Sequence, residues 1–257
     1  MSSLYFIKTV KADSNKVEVH IASPTDGYSK PAGHHVSGYS LADRNNGDFV
    51  VGPEGLYFVK TRNAQSGKIE AHRTTAASGY RDFDIHAVTV FELRDTDNGT
   101  WTFDNGNLYL VKTQRCESGL IELHRANGGS FNAFSLHAAV PIPVSEAGNG
   151  EWDVFGDELY FVKYRNTQGG NVEVWKVSGS GLQTVTRWTT WFNTADGVQG
   201  SWRIGKGGDL YFIKTKNTGS GKAEVHVASA RSGYQQVSHN ATWISQDDGP
   251  LGTWVVA

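Results

Sequence analysis

Residues Leu56–His72 read LYFVKTRNAQSGKIEAH, and the pattern returns at Leu4 (LYFIKTVKADSNKVEVH), Leu108 (LYLVKTQRCESGLIELH), Leu159 (LYFVKYRNTQGGNVEVW) and Leu210 (LYFIKTKNTGSGKAEVH). The copies are spaced by 52, 52, 51 and 51 residues. The repeats 4–55, 56–107, 108–158, 159–209 and 210–257 therefore use the whole chain, and residues 1–257 read as one domain. A period of about 40–50 residues made of strand-like pieces is that of a propeller blade, whereas helical solenoids carry a period of about 3.6 residues within each unit.

The second copy shows the four pieces: LYFVKT, KIEAH, the stretch from Tyr80 to about Val90, and TWTF at Thr100–Phe103. Gly, Asn, Asp and Ser separate them, as turns require. The fourth piece opens with Gly-x-aromatic in every copy, at Gly47-Asp48-Phe49, Gly99-Thr100-Trp101, Gly150-Glu151-Trp152, Gly200-Ser201-Trp202 and Gly252-Thr253-Trp254. A short link, Asp104–Asn107, joins it to the next copy, and the longer link lies before it. Placing the blade boundary in the longer link makes Gly-x-aromatic the innermost strand. The expected fold is all-β: a five-bladed β-propeller of four-stranded antiparallel blades, with the C-terminal GTWVVA joining the N-terminal blade and leaving no free edge.

The composition agrees: 30 Gly, 8 Trp, 10 Tyr and 12 Phe against a single Met make a turn-rich, aromatic β chain. A net charge of -2 with no basic run gives no footprint for nucleic acid or an anionic membrane, and no apolar run approaches the ~20 residues of a spanning helix. Cys116 is the only cysteine, so packing alone must hold the fold. The N-terminal MSSLYFIKTVK lacks the basic and apolar regions of a signal peptide, so a cytoplasmic protein is expected, with release by another route open.

Strand alternation places Lys60 opposite Glu70 and Phe58 opposite His72. Continued outward and inward with the same parity, it predicts one polar row per blade: Trp254, Lys8, Glu18, His34; Phe49, Lys60, Glu70, His86; Trp101, Lys112, Glu122, His137; Trp152, Lys163, Glu173, Trp188; and Trp202, Lys214, Glu224, Asn240 with His239 adjacent. A cross-strand ion pair explains the invariant Lys and Glu without any ligand. The other reading makes the row a hydrogen-bonding strip for sugar hydroxyls beside an aromatic platform. His20, His72, His124 and His226, and Tyr28, Tyr80, Phe131 and Tyr234, recur too, but become Trp175 and Leu182 in the fourth copy. Asn63, Asn166 and Asn217 share one loop position, where serving the turn competes with meeting a ligand.

The separation of His72 from His86 matches no compact zinc pattern, so neither a metal nor another cofactor is expected. The recurring carboxylate is equivalent in all copies, whereas a glycoside hydrolase needs carboxylates in unequal surroundings; no singular cluster stands out, and an enzyme is not expected. Nucleophile elbow, HExxH and phosphate-cradling motifs are lacking.

The LYFxKT, SGKxEVH, SGY and GxW segments are similar to those of propeller lectins, and the arrangement resembles the tachylectin-type five-bladed lectins and related fungal propeller lectins. The resemblance covers the whole chain at the level of blade count and strand order. It implies a multivalent agglutinin with up to five similar sites at blade interfaces for N-acetylglucosamine or another small terminal sugar, with glycans or glycoproteins as partners. A protein-interaction propeller and a glycoside hydrolase are the alternatives.

Overall fold

The first two pieces of each repeat close as an antiparallel hairpin; in the second copy Lys60 faces Glu70 and Phe58 faces His72. The third piece adds outside it, and the Gly-x-aromatic piece of the preceding repeat adds inside it. The computed structural model describes residues 1–52 and 54–257, in which this unit recurs as five four-stranded sheets. Blade 1 holds β1 (Leu4–Lys8), β2 (Lys16–Ala22) and β3 (Pro31–Ser40). Blade 2 holds β4 (Gly47–Gly52), β5 (Gly55–Lys60), β6 (Lys68–Thr75) and β7 (Phe83–Glu92). Blade 3 holds β8 (Gly99–Asp104), β9 (Asn107–Lys112), β10 (Leu120–Ala126) and β11 (Phe134–Pro143). Blade 4 holds β12 (Gly150–Phe155), β13 (Glu158–Lys163), β14 (Asn171–Ser178) and β15 (Thr184–Asn193). Blade 5 holds β16 (Gly200–Ile204), β17 (Leu210–Lys214), β18 (Lys222–Ala228) and β19 (Val237–Ser245), and β20 (Gly252–Val256) returns to pair with β1.

That last pairing is the predicted closure, clasped by reciprocal backbone bonds between Ser3 and Ala257 at 2.9 and 3.1 Å. The inner strands β4, β8, β12, β16 and β20 touch in that cyclic order, with β20 against β4, so the fold is a closed five-bladed propeller. The tight inner turns follow from sequence. Asp104 pairs with Asn107 across Asn105 (φ 48°) and Gly106 (φ 75°), the left-handed pair that suits a two-residue hairpin between right-twisted strands.

Both faces of each blade are buried against a neighbour, which explains the near-continuous apolar first strands. Between blades 2 and 3, Tyr57, Val59, Ile69 and Ala71 pack against Trp101, Phe103, Leu108 and Leu110. The inner aromatic stacks on the first-strand ring of its own blade in four copies: Trp254 on Phe6 at 4.6 Å, Phe49 on Phe58 at 4.6 Å, Trp152 on Phe161 at 4.1 Å and Trp202 on Phe212 at 4.2 Å. Truncating such a buried ring to Ala typically costs about 3–5 kcal/mol.

The expected polar row needs correction by one step at each end. Gly47, not Phe49, lies opposite Lys60, and Val88, not His86, lies opposite Glu70; His86 lies opposite His72. The predicted row joined two neighbouring rows of one face, Gly47–Lys60–Glu70–Val88 and Phe49–Phe58–His72–His86. In blade 4 Trp188 pairs with Val174 and Arg187 takes the histidine position beside Trp175; in blade 5 His239, not Asn240, lies opposite His226. The connections between second and third strands differ in length, and a one-residue slip sends a side chain to the other face.

The correction explains the glycine. Its partner is the invariant lysine, and a Cβ on Gly47, Gly99, Gly150, Gly200 or Gly252 would overlap the carbonyl oxygen of the residue before that lysine. None of these five lies in the left-handed region, so close approach of the hairpin selects glycine.

Candidate functional site

The two adjacent rows bring Glu122 diagonally under the imidazoles of His124 and His137. Its Oε2 lies 3.3 Å from His124 Nε2 and 3.8 Å from His137 Nε2, and the two rings stack at 4.3 Å. The same triad forms in blades 1, 2 and 5. Glu18 Oε2 is 3.4 Å from both His20 and His34, Glu70 Oε2 is 3.4 and 3.8 Å from His72 and His86, and Glu224 Oε2 is 3.6 and 3.4 Å from His226 and His239. In each triad the carboxylate is buried, the second-strand histidine is mostly buried, and the third-strand histidine is more than half exposed.

A buried carboxylate needs partners. Oε1 of Glu18, Glu70 and Glu224 accepts from the hydroxyls of Ser14, Ser66 and Ser220 at 2.8 Å, and that of Glu122 from Ser118 at 3.2 Å. Burial alone pushes these carboxyls up, but the serine hydrogen bonds together with the facing histidines, and in blades 2 and 3 the lysine, outweigh it and hold all four below the ordinary 4.5. Burial, followed by the facing histidine, pulls His20, His72, His124 and His226 below the ordinary 6.5.

The invariant lysine is less uniform than its sequence. Lys60 and Lys112 approach the carboxylate at 3.7 and 3.5 Å, the expected ion pair. Lys8, Lys163 and Lys214 instead reach Asp248 (3.2 Å), Glu146 (2.9 Å) and Asp196 (3.8 Å) in the connections leading to the inner strands. Blade 4 has no triad: Trp175 Nε1 donates to Glu173 at 2.8 Å, and the Arg187 guanidinium lies 3.8 Å over the Trp175 ring.

Other sequence candidates fall elsewhere. Tyr28, Tyr80 and Tyr234 are buried between blades, with Tyr28 donating to Ser2 O and Tyr234 to Gly208 O at 3.0 Å, so these rings pack and offer no platform to a ligand. Trp188 is correspondingly displaced from the site and packs edge-on against Tyr234 at 5.7 Å. Asn63, Asn166 and Asn217 adopt positive φ of 54°, 53° and 52°, and donate to Asn46, Asn149 and Gln199 at 2.7–2.8 Å. That geometry serves the hairpin turn.

Sequence reasoning missed the rings that stand beside the triads. Between blades 2 and 3, Val90, Phe91, Glu92 and Arg94 on one side and Lys112, His124, His137 and Phe134 on the other line a groove of ≈ 440 Å³. Phe134 is 48% exposed, 5.8 Å from His124. Phe83 holds the same position in blade 2 and is 51% exposed, against Tyr39 of blade 1. Blades 1 and 5 have Pro31 and Gln236 there, but the blade before each supplies a tryptophan from the position of Val90: Trp243, whose ring is 5.5 Å from His20, and Trp191, 61% exposed. Where blade 2 brings Phe83, the preceding blade has Gly38, at which an added Cβ would lie 2.7 Å from the Phe83 ring. Each groove that holds a triad thus carries a ring at one of these two positions, against a triad histidine in blades 1 and 3, in addition to the packed rings of Phe6, Phe58, Phe91 and Phe212 that already flank the second-strand histidines. The groove entering blade 4 has Pro141 and Thr184 at these two positions and lacks both ring and triad. Aligning the third strands on their histidines could have revealed the exchange.

One cluster does break the five-fold pattern, contrary to the sequence reading. Arg203 and the half-buried Asp153 line a central cleft of ≈ 720 Å³, and Arg203 Nη1 donates to Glu151 beside it at 2.7 Å. Burial pushes the Asp153 carboxyl up to about 6. Its oxygens accept the backbone N–H of Val154 (2.9 Å) and Ile204 (2.8 Å), Glu151 accepts that of Trp202 (3.2 Å), and Asp104 accepts that of Gly156 (2.9 Å). These carboxylates stitch β12 to β16 and β8 to the turn after β12.

No protein-family model and no curated protein sequence matches the chain. Among solved structures it is similar to an exo-β-1,3-galactanase from Clostridium thermocellum, with 12% identity and a TM-score of 0.39 over 77% of this chain. The chain spans about half of that protein, 49% of its length.

Proposed function

We propose that the protein is a multivalent carbohydrate-binding lectin whose sites are the grooves entering blades 1, 2, 3 and 5. The observation that carries this reading is the pairing of ring and triad. Four grooves hold a Glu–His–His cluster and a ring at one of two alternative positions, 5.5 Å from His20 in blade 1 and 5.8 Å from His124 in blade 3, and the fifth has neither. Packing alone gives no reason for a ring, about half exposed or more at Phe83, Phe134 and Trp191, to be kept while its position moves between blades. A sugar gives one, since it needs hydrogen-bonding partners for its hydroxyls and an apolar surface for its C–H face. The groove entering blade 3, at ≈ 440 Å³, is of the size of small-molecule sites.

N-acetylglucosamine or another small terminal sugar is the proposed ligand class, bound without turnover: Asp104, Glu151 and Asp153 are committed to backbone N–H groups rather than held as a free acid and base. Four weak sites on one ring gain about 10²–10⁴ in avidity on a glycan-coated surface. Agglutination of erythrocytes should be inhibited by the free sugar, and calorimetry should give four sites per chain. Phe134→Ala should lower that to three with little loss of stability. A glycan array without hits would refute the lectin, and hydrolysis of an aryl glycoside that Asp153→Asn abolishes would put an enzyme in its place.

A further inference from the structure

All histidines except His35 lie in the four triads, two to each. Within each triad one carboxylate oxygen and one nitrogen from each imidazole lie within 4.8 Å of one another. The Nε2 atoms of His20, His72 and His226 are buried without a hydrogen-bond partner, although a carboxylate oxygen lies 3.4–3.6 Å away. His34, His86, His137 and His239 are more than half exposed, yet their Nε2 atoms turn toward the same buried oxygen at 3.4–3.8 Å rather than to solvent. Three donor atoms thus converge on one point from two strands, with the fourth side open to the groove.

The geometry points to a second ligand class: each triad, Glu18–His20–His34, Glu70–His72–His86, Glu122–His124–His137 and Glu224–His226–His239, binds one divalent transition-metal ion of the Zn²⁺ class. Zinc sits about 2.0–2.2 Å from imidazole nitrogen and carboxylate oxygen, which puts tetrahedral ligands about 3.4 Å apart. The nitrogen-to-oxygen distances of 3.3–3.8 Å already approach that edge, so small side-chain rotations complete the site. Two imidazoles and one carboxylate favour zinc, cobalt or nickel over calcium or magnesium, which take oxygen ligands. The local sequence hides this site because its ligands come from neighbouring strands, at i and i+2 on one and across the ladder on the other.

Two strengths of site follow. Lys60 and Lys112 share the carboxylate oxygen with the histidines in blades 2 and 3, whereas Lys8 and Lys214 are drawn off to Asp248 and Asp196. The sites of blades 1 and 5 therefore bind more tightly, because no ammonium has to be displaced. In blade 4, Trp175 and Arg187 replace both imidazoles, so the count per chain is four and not five.

The inference is independent of sugar binding, and its test uses metal alone. The full chain, stripped with EDTA and desalted, is titrated with CoCl₂ while the visible absorption is followed, and with ZnCl₂ by calorimetry. The expected result is cobalt–imidazole bands saturating at four ions per chain, in a tighter and a weaker pair. The combined variant His34→Ala, His86→Ala, His137→Ala and His239→Ala removes only exposed rings and should fold, as judged by circular dichroism, while losing the bands. Trp175→His with Arg187→His should raise the count to five. A folded wild-type protein with no cobalt bands, or bands that persist in the combined variant, would overturn the inference.

Discussion

Replacing Gly99 with alanine tests the account of how the blade places its site. A Cβ there would lie 2.8 Å from the Val111 carbonyl carbon and 2.9 Å from the Lys112 Cα, and would overlap the Val111 carbonyl oxygen. Real Cβ atoms essentially never come within 3.0 Å of such neighbours. The obstruction is backbone, so no side chain can swing away, and relief requires the β8–β9 hairpin to open beside Lys112. Forced overpacking of this kind costs about 1–3 kcal/mol, with backbone neighbours toward the upper end, offset by about 0.5–1 kcal/mol because alanine restricts the unfolded chain more than glycine does. A net loss of about 1–2 kcal/mol is expected. Gly148→Ala is the control, since nothing lies within 4 Å of its Cβ position, and it should stay within about 0.5 kcal/mol of the parent. Urea unfolding followed by tryptophan fluorescence and far-ultraviolet circular dichroism reads both, with coincident transitions required before a free energy is taken. Because Lys112 neighbours Glu122, the variant should also weaken the groove entering blade 3. If Gly99→Ala unfolds at the urea midpoint of the parent, the close-approach argument for the Gly-x-aromatic motif is wrong.

Further outcomes follow from the same geometry. Stability should fall with pH in two stages. His20, His72, His124 and His226 have folded values below 6.5, so the unfolded chain takes up their protons first as pH drops below that value, and the carboxylates held below 4.5 repeat this lower down; urea midpoints across pH 8 to 3 measure it. Glu122→Gln strips the mostly buried Lys112 ammonium of its ion-pair partner and should cost about 1–3 kcal/mol in urea unfolding, below the figure for a fully buried pair because Lys112 retains some solvent. Tyr234→Phe removes a buried hydrogen bond to Gly208 O and should lower stability by about 0.5–1.5 kcal/mol while leaving glycan binding unchanged in calorimetry.

The architecture was legible because repetition multiplies weak signals. Five LYxxK hairpins, five Gly-x-aromatic strands and one short link per repeat fixed the strand order, the blade frame and the closure by GTWVVA. The site was legible only in part. Glu18, Glu70, Glu122 and Glu224 and the eight triad histidines could be set on the right strands, with His239 one residue out of register as the neighbour of Asn240. Their mutual register could not, because the ladder shifts between Lys68 and Glu70 and the second turn varies in length. The same variation misplaced Trp188. Tyr28, Tyr80 and Tyr234 recur as a ligand platform would, yet they recur because a blade interface buries a large apolar side chain at the same left-handed turn, with φ of 62°, 65° and 64°, a place Leu182 fills in blade 4. Phe83, Phe134, Trp191 and Trp243 were invisible as a set, because the groove ring comes from two different positions on two different blades.

The most direct test of the central claim is a crystal of the full chain soaked with N-acetylglucosamine, with fucose and galactose soaked in parallel. The account predicts sugar density against the triad and its ring in the grooves entering blades 1, 2, 3 and 5, and none at Trp175 and Arg187 of blade 4. Sugar bound in the central cleft around Asp153 and Arg203, or four empty grooves in an intact ring, would contradict it.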